Sequence, residues 1–180
     1  LAPSNPMSYD TQQFYNSALA IVVGVGAGTI SFHLLPPLSP AFRTQRLLEL
    51  ALRDLRRLAT GPIPRTPQEW ESRMYGRFSV LPNQAQPVHR SQLMAALSLG
   101  TEIIQLRHIV RRMDQGSDLG AALDALAAGD TAIAIDRLHR LDHALADRPG
   151  AAALRARGSI LAMSDALTQH SSYFGAGAPG

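Results

Sequence analysis

Ser17-Ala-Leu-Ala-Ile-Val-Val-Gly-Val-Gly-Ala-Gly-Thr-Ile-Ser-Phe-His-Leu-Leu35 (SALAIVVGVGAGTISFHLL) carries no aspartate, glutamate, lysine or arginine. At about 1.5 Å rise per residue, a helix over this run reaches roughly 28 Å, close to the ~30 Å hydrocarbon core of a bilayer. The run reads as a membrane-spanning helix, and the segments on either side decide what it is attached to.

The amino-side flank holds a single charge, Asp10, whereas Arg43, Arg46, Arg53, Arg56 and Arg57 crowd the carboxyl side. Positive charge collects on the cytoplasmic face, so residues after the run are expected in the cytoplasm. A secretory signal would carry its positive charge before the apolar run instead. Tyr9, Phe14 and Tyr15 stand where an interfacial aromatic belt is expected. The 180 residues are 46% hydrophobic with a mean hydropathy of −0.03, too polar for a chain made mostly of spans. One span is therefore expected, with residues 1–16 as an extracytoplasmic lead-in, 17–35 as the span, 36–174 as a cytoplasmic helical domain and 175–180 as a disordered tail. Because the chain opens on Leu1 rather than methionine, it is expected to be a fragment of a longer protein.

Within the run, Ala20, Gly24 and Gly28 recur every fourth residue, placing small side chains on one helix face where another membrane helix can approach closely. His33 lies near the cytoplasmic end. A titratable group in a membrane segment points to a permeation or proton path, while its position also suits an interfacial residue in reach of headgroups. The glycines of GVGAG lack the spacing, the preceding strand and the later acidic residue of a dinucleotide-binding loop.

Pro36, Pro37 and Pro40 end the run, and Ser39 can cap a new helix with Pro40 at its first position. That helix extends to about Thr60. Its Leu47, Leu48, Ala51, Leu52, Leu55, Leu58 and Ala59 gather on one side, and the five arginines take most of the other. The leucines are expected to join a bundle and the arginines to face anionic headgroups. After the GPIPR connector, Thr66-Pro67-Gln68-Glu69 reads as a capping box, followed by Trp70, Met74, Phe78 and Leu81 at helical spacing as core.

The break PNQAQP, residues 82–87, precedes the longest helix of this part, expected from Val88 to Met113. It is apolar over more than half its circumference and is expected at the centre of the bundle. Arg107 and Arg111 fall inside its apolar arc, so they are expected to pair with carboxylates or extend to water; an organic carboxylate would also suit their geometry. After a turn at Asp114 to Ser117, Asp130 caps one of several short helices. Leu126 to Gly158 has the look of one tetratricopeptide hairpin without a second copy. His139 and His143 stand four apart with Asp136 nearby, a spacing able to bind metal, but Arg140 occupies the place of the zinc-protease glutamate. A solvated face is expected there. The last helix, Ala151 to Tyr173, is expected to bury Ala152, Ala156, Ile160, Met163 and Leu167.

With no cysteine, disulfide frameworks and thiol chemistry are excluded. All 17 basic residues are arginine and the net charge is +3, too mild to demand nucleic acid as a partner. No nucleophile elbow, phosphate loop or paired carboxylate set is present, so neither a cofactor nor an enzymatic role is expected. The fold class is all-α: one transmembrane helix followed by a cytoplasmic antiparallel helical bundle. A soluble helical interaction module, with the apolar run as a buried core helix, is the alternative.

Three stretches carry a family resemblance: MSYDTQQFYNSALAIVVGVGAGTISFHLLPPLSP (7–40), RTQRLLELALRDLRRLA (43–59) and GRFSVLPNQAQPVHRSQLMAALSLGTEIIQLR (76–107). The chain resembles the carboxyl-terminal part of bacterial FUSC-family proteins, the fusaric acid resistance proteins related to aromatic carboxylic acid exporters. The resemblance implies an inner-membrane efflux component with two blocks of membrane helices, each followed by cytoplasmic helical segments. It implies a periplasmic adaptor as partner and is compatible with a homo-oligomer. The chain would supply the last membrane helix and the terminal cytoplasmic domain.

Overall fold

A computed structural model describes residues 11–34, 39–64, 66–113 and 116–175. Among these residues the chain forms eight helices and no strand: α1 (Thr11–Leu34), α2 (Pro40–Thr60), α3 (Pro67–Ser79), α4 (Pro87–Arg111), α5 (Gly116–Ala128), α6 (Thr131–Ala146), α7 (Ala151–Gln169) and α8 (Ser171–Phe174). Tyr9, Asp10, Leu35, Pro36, Pro37, Asp114 and the tail 176–180, all used above, lie outside the described residues. The chain divides into two units, Leu1–Ser39 and Pro40–Gly180.

The first unit contains α1. It is apolar on every side rather than along one stripe, and Leu19, Ile21, Val22, Val23, Val25 and Ile30 are 59–68% exposed. A helix that is apolar all round belongs inside a large core or in a bilayer. Among the described residues two helices are long and apolar enough to cross a membrane: α1, whose Phe14–Ser31 window is wholly unburied, and α4, whose length is 56% buried.

The second unit is built around α4, which packs against α2, α3, α5 and α7. Leu93, Ala96, Leu99, Ile103, Ile104 and Leu106 are fully buried, as the wide apolar arc of this helix requires. Each such leucine or isoleucine contributes about 1.5–3 kcal/mol relative to exposure. Gly100 opens a notch on α4 that the indole of Trp70 from α3 fills, so close that a Cβ at residue 100 would overlap the ring. The indole Nε1 donates to the Leu97 carbonyl at 2.9 Å, giving the buried ring its polar partner.

Proline sets three of the helix starts, since Pro40, Pro67 and Pro87 each occupy a first helical position. Thr66 is the N-cap of α3 as expected, yet its hydroxyl makes no capping bond. The capping box is therefore absent, and only the Glu69 amide reaches back, to the Thr66 carbonyl at 3.4 Å. Asp130 does cap α6, accepting from the Ile133 amide at 3.1 Å. Gly129 before it, at φ +83°, takes the left-handed conformation that turns α5 into α6. Loops this short make α5, α6 and α7 successive hairpins, with α5 packed on α6 and α6 on α7.

Four boundaries or phases depart from the sequence expectation. Helix α4 ends at Arg111, because the Arg112 and Met113 amides close a tighter turn on Ile109 and Val110. Helix α3 ends at Ser79, which leaves Leu81 half-buried beyond it. Ala152 is exposed and Ala153 takes the buried place, so the α7 stripe runs Ala153, Ala156, Ile160, Met163 and Leu167. The last helix also breaks at His170. Beyond the break, the short helix α8 buries both the Tyr173 and the Phe174 rings in the core.

Candidate functional site

Helix α1 presents its small-residue face without an occupant within the unit. Ala20 and Gly24 are exposed, and a Cβ added at Gly24 or Gly28 would meet nothing within 4 Å. His33 belongs to α1 by its backbone, but its side chain lies outside the described residues. The apolar exterior of α1 is far more than the scattered exposed leucines of an ordinary surface.

Helix α2 sorts its five arginines. At about 100° per residue the buried set, from Leu48 to Ala59, covers one side, and Arg43, Arg46, Arg53 and Arg57 fall opposite it, exposed and making no hydrogen bond or ion pair with any described residue. Arg56 does not join them. It stands at the edge of the buried arc, and its Nη2 donates to the Phe174 carbonyl at 3.5 Å and the Gly175 carbonyl at 3.4 Å. The expectation that all five face headgroups is thus corrected: Arg56 is drawn inward because α8 brings orphan carbonyls within reach of its long side chain. The neighbouring Tyr173 ties the same end down, its hydroxyl donating to the Leu48 carbonyl at 2.9 Å. Burial pushes the Tyr173 phenol above its usual range. Asp54, also on α2, is engaged by Arg77 of α3 in a close ion pair, with Arg73 at 3.9 Å.

Arg107 has no carboxylate partner among the described residues. Its Nη1 donates to the Leu58 carbonyl at 2.8 Å and the Gly61 carbonyl at 2.9 Å, the free acceptors where α2 ends. The sequence expectation of a carboxylate is corrected on physical grounds: a helix carboxyl terminus carries partial negative charge and unpaired carbonyls, which serve a cation as well as an acid does. Burial lowers the Arg107 pKa, though a guanidinium stays charged throughout. Arg111 is exposed, as the water-reaching option required. Both line a cleft of about 300 Å³ with Thr60, Ile63, Leu123 and Asp124. Asp124 sets a negative charge beside any anion entering there.

A groove between α6 and α7 had no signal beyond the histidine spacing. It measures about 510 Å³ and is lined by His139, Asp142, His143, Leu154, Arg157 and Ser164, among others. Arg157 forks onto Asp142, with Nε to Oδ1 at 2.8 Å and Nη2 to Oδ2 at 3.3 Å, which holds the Asp142 carboxyl below its usual range. Asp136 turns to Arg140 instead of the histidines. Among the described residues no group of three potential ligands could hold a metal.

The described residues therefore offer several surfaces: an apolar helix exterior, a stripe of arginines without a partner among them, and clefts that include those at Arg107 and Arg157. Comparison with known proteins gives these surfaces a context. The chain is 32% identical over 114 residues to the uncharacterized transporter YdhK of Escherichia coli (strain K12), covering 61% of this chain and 16% of that protein. It is 26% identical over 130 residues to the uncharacterized transporter GOX0755 of Gluconobacter oxydans (strain 621H), covering 68% of this chain and 18% of that protein. The chain thus spans less than a fifth of the length of these curated relatives. No solved structure matches it significantly. The sequence model of the Fusaric acid resistance protein family (FUSC) matches residues 1–174, and the chain belongs to that family of membrane transport proteins.

Proposed function

We propose that the chain is the carboxyl-terminal part of an inner-membrane efflux transporter for aromatic or other organic acids, acting as a transporter rather than an enzyme. In this reading α1 is its last membrane helix and Pro40–Gly175 a cytoplasmic helical domain that serves assembly or regulation. The observation that carries the reading is the unburied, all-round apolar exterior of α1 in a chain of this family. A soluble interaction module would have to bury that helix. The orientation rests on charge: Asp10 precedes α1, and arginines follow it. Further membrane helices of the same protein would pack on the Ala20, Gly24 and Gly28 face. A periplasmic adaptor and other copies of the chain are the partners proposed for the assembled pump.

Two measurements test this. Washing membranes with alkaline carbonate should leave the chain in the pellet; its release would return α1 to a soluble helical module. A tag placed after Gly180 should resist protease in intact spheroplasts and be cleaved in inverted vesicles. The opposite pattern would reverse the orientation.

A further inference from the structure

The four exposed arginines of α2 form a single line. Arg43, Arg46, Leu50, Arg53 and Arg57 are spaced by three and four residues in alternation, which confines them to an arc of about 80°. The centre of that arc lies opposite the buried leucines. Leu50, 37% exposed, is an apolar residue in the middle of the line.

Like charges three and four residues apart on a helix repel, as Arg43 and Arg46 do, and Arg53 and Arg57. Among the described residues no ion pair relieves them, although Glu49 lies three residues from Arg46 and four from Arg53, and Arg57 borders a cleft with Asp54 and Glu69. Asp54 is three residues from Arg57 and could reach it along the helix, yet Arg77 and Arg73 of α3 engage it. Glu49 is the one acid left among the exposed residues of α2. The stripe therefore presents a concentrated positive strip over about 20 Å of helix.

We propose that this stripe docks on the anionic phospholipid headgroups of the leaflet into which α1 emerges, so that α2 lies along the membrane surface with its leucine face turned to the bundle. The proposal rests on the reading of α1 as a span. Given that reading, chain length places α2 at the interface: residues 35–39 link the two helices, and even fully extended they reach at most roughly 20 Å. The first turn of α2, carrying Arg43, cannot leave the headgroup region, and the negative surface potential of a cytoplasmic leaflet attracts juxtamembrane arginines. Leu50 would then enter the headgroup layer between the two arginine pairs. Arg56 takes no part, since its guanidinium serves the carbonyls of Phe174 and Gly175.

The chain has no cysteine, so single spin labels can be placed cleanly. Labels at Leu50→Cys and, separately, Ile21→Cys would be read in the full chain reconstituted into phosphatidylcholine vesicles and into vesicles with a third of the lipid exchanged for phosphatidylglycerol. The Leu50 label should be shielded from a water-soluble nickel relaxant in the anionic vesicles and accessible to it in the zwitterionic ones. Raising the salt to molar concentration should restore access, because the screening length falls to about 3 Å. Each of Arg43, Arg46, Arg53 and Arg57 replaced by glutamine should lower the ratio of docked to undocked helix roughly fivefold. These side chains have no partner among the described residues, so the circular dichroism spectrum should not change. A Leu50 label equally accessible in both lipids overturns the proposal and assigns the stripe to solvent or to an acidic protein. The Ile21 label separates the two readings: it should be buried in either lipid, and if it is in water the spanning assignment itself has failed.

Discussion

Arg107 of α4 closes the end of α2 through the Leu58 carbonyl, an N–H···O bond of 2.8 Å between residues 49 positions apart in sequence. The same nitrogen reaches Gly61 at 2.9 Å, so one cation collects the carbonyls that the last turn of α2 leaves unpaired. It also pins the carboxyl end of the arginine-bearing helix to the central helix of the bundle. Arg107→Met keeps the aliphatic stem and removes the donors. It should lower the stability of the bundle by about 1.5 kcal/mol, toward the low end for a charged hydrogen bond because Arg107 is only half-buried. Thermal unfolding of the solubilised chain, followed by circular dichroism, checks this. Arg111→Gln, at an exposed position, should leave the unfolding midpoint unchanged.

Gly100 and Trp70 form a notch and its filling, and the close approach of the ring leaves no room for a methyl group. Gly100→Ala should destabilise the bundle by about 1–3 kcal/mol through overpacking. Because Trp70 is the sole tryptophan, its emission should shift to the red as the ring is pushed from its site and loses the Leu97 carbonyl. Unaltered emission and stability would mean that α3 can move away from α4 without loss.

Tyr173 gives the bundle an alkaline limit. Its folded-state pKa is raised by burial, so the folded protein holds the phenolic proton at pH values where the unfolded chain has released it. The resulting contribution is complete below the unfolded pKa of about 10 and is lost as pH rises above it. Tyr173→Phe should flatten the alkaline decline in stability. At neutral pH it should cost about 1 kcal/mol for the lost bond to Leu48. Urea unfolding at pH 7 and in steps above pH 10 distinguishes the two contributions.

The empty space around Gly24 and Gly28 makes the packing proposal for α1 testable. Gly24→Leu combined with Gly28→Leu should leave the unfolding of the 40–175 bundle in this chain unaltered, because nothing described touches either residue. In the complete transporter the same pair should lower membrane accumulation and organic-acid efflux. Normal efflux with both leucines in place would remove the small-residue face from the assembly.

Much of the helical framework is legible from local chemistry. Proline at a first helical position marks the starts of α2 and α3, whereas Pro87, placed by the sequence reading in the break before α4, proves to be the first residue of that helix. The Asp130 cap marks the start of α6. The apolar periodicity of α4 identifies it as central, because a helix so widely apolar can only sit where other helices cover it. Where two phases satisfied the same pattern, as at Ala152 and Ala153, the sequence could not separate them. Spacings of three and four residues are both helical, and only the facing helix selects between them.

The candidate surfaces divide along the same line. The charge-free run of α1 and the crowding of arginine after it are properties of consecutive residues, and the sequence by itself determined them. The use made of each long side chain is different. Arg56 and Arg107 found carbonyls, Asp54 was taken by Arg77, and Arg43, Arg46, Arg53 and Arg57 were left without partners among the described residues. A guanidinium on a flexible stem accepts whichever oxygen the fold delivers, so its role follows from what folding brings to it across the chain. Only the tertiary structure decided that.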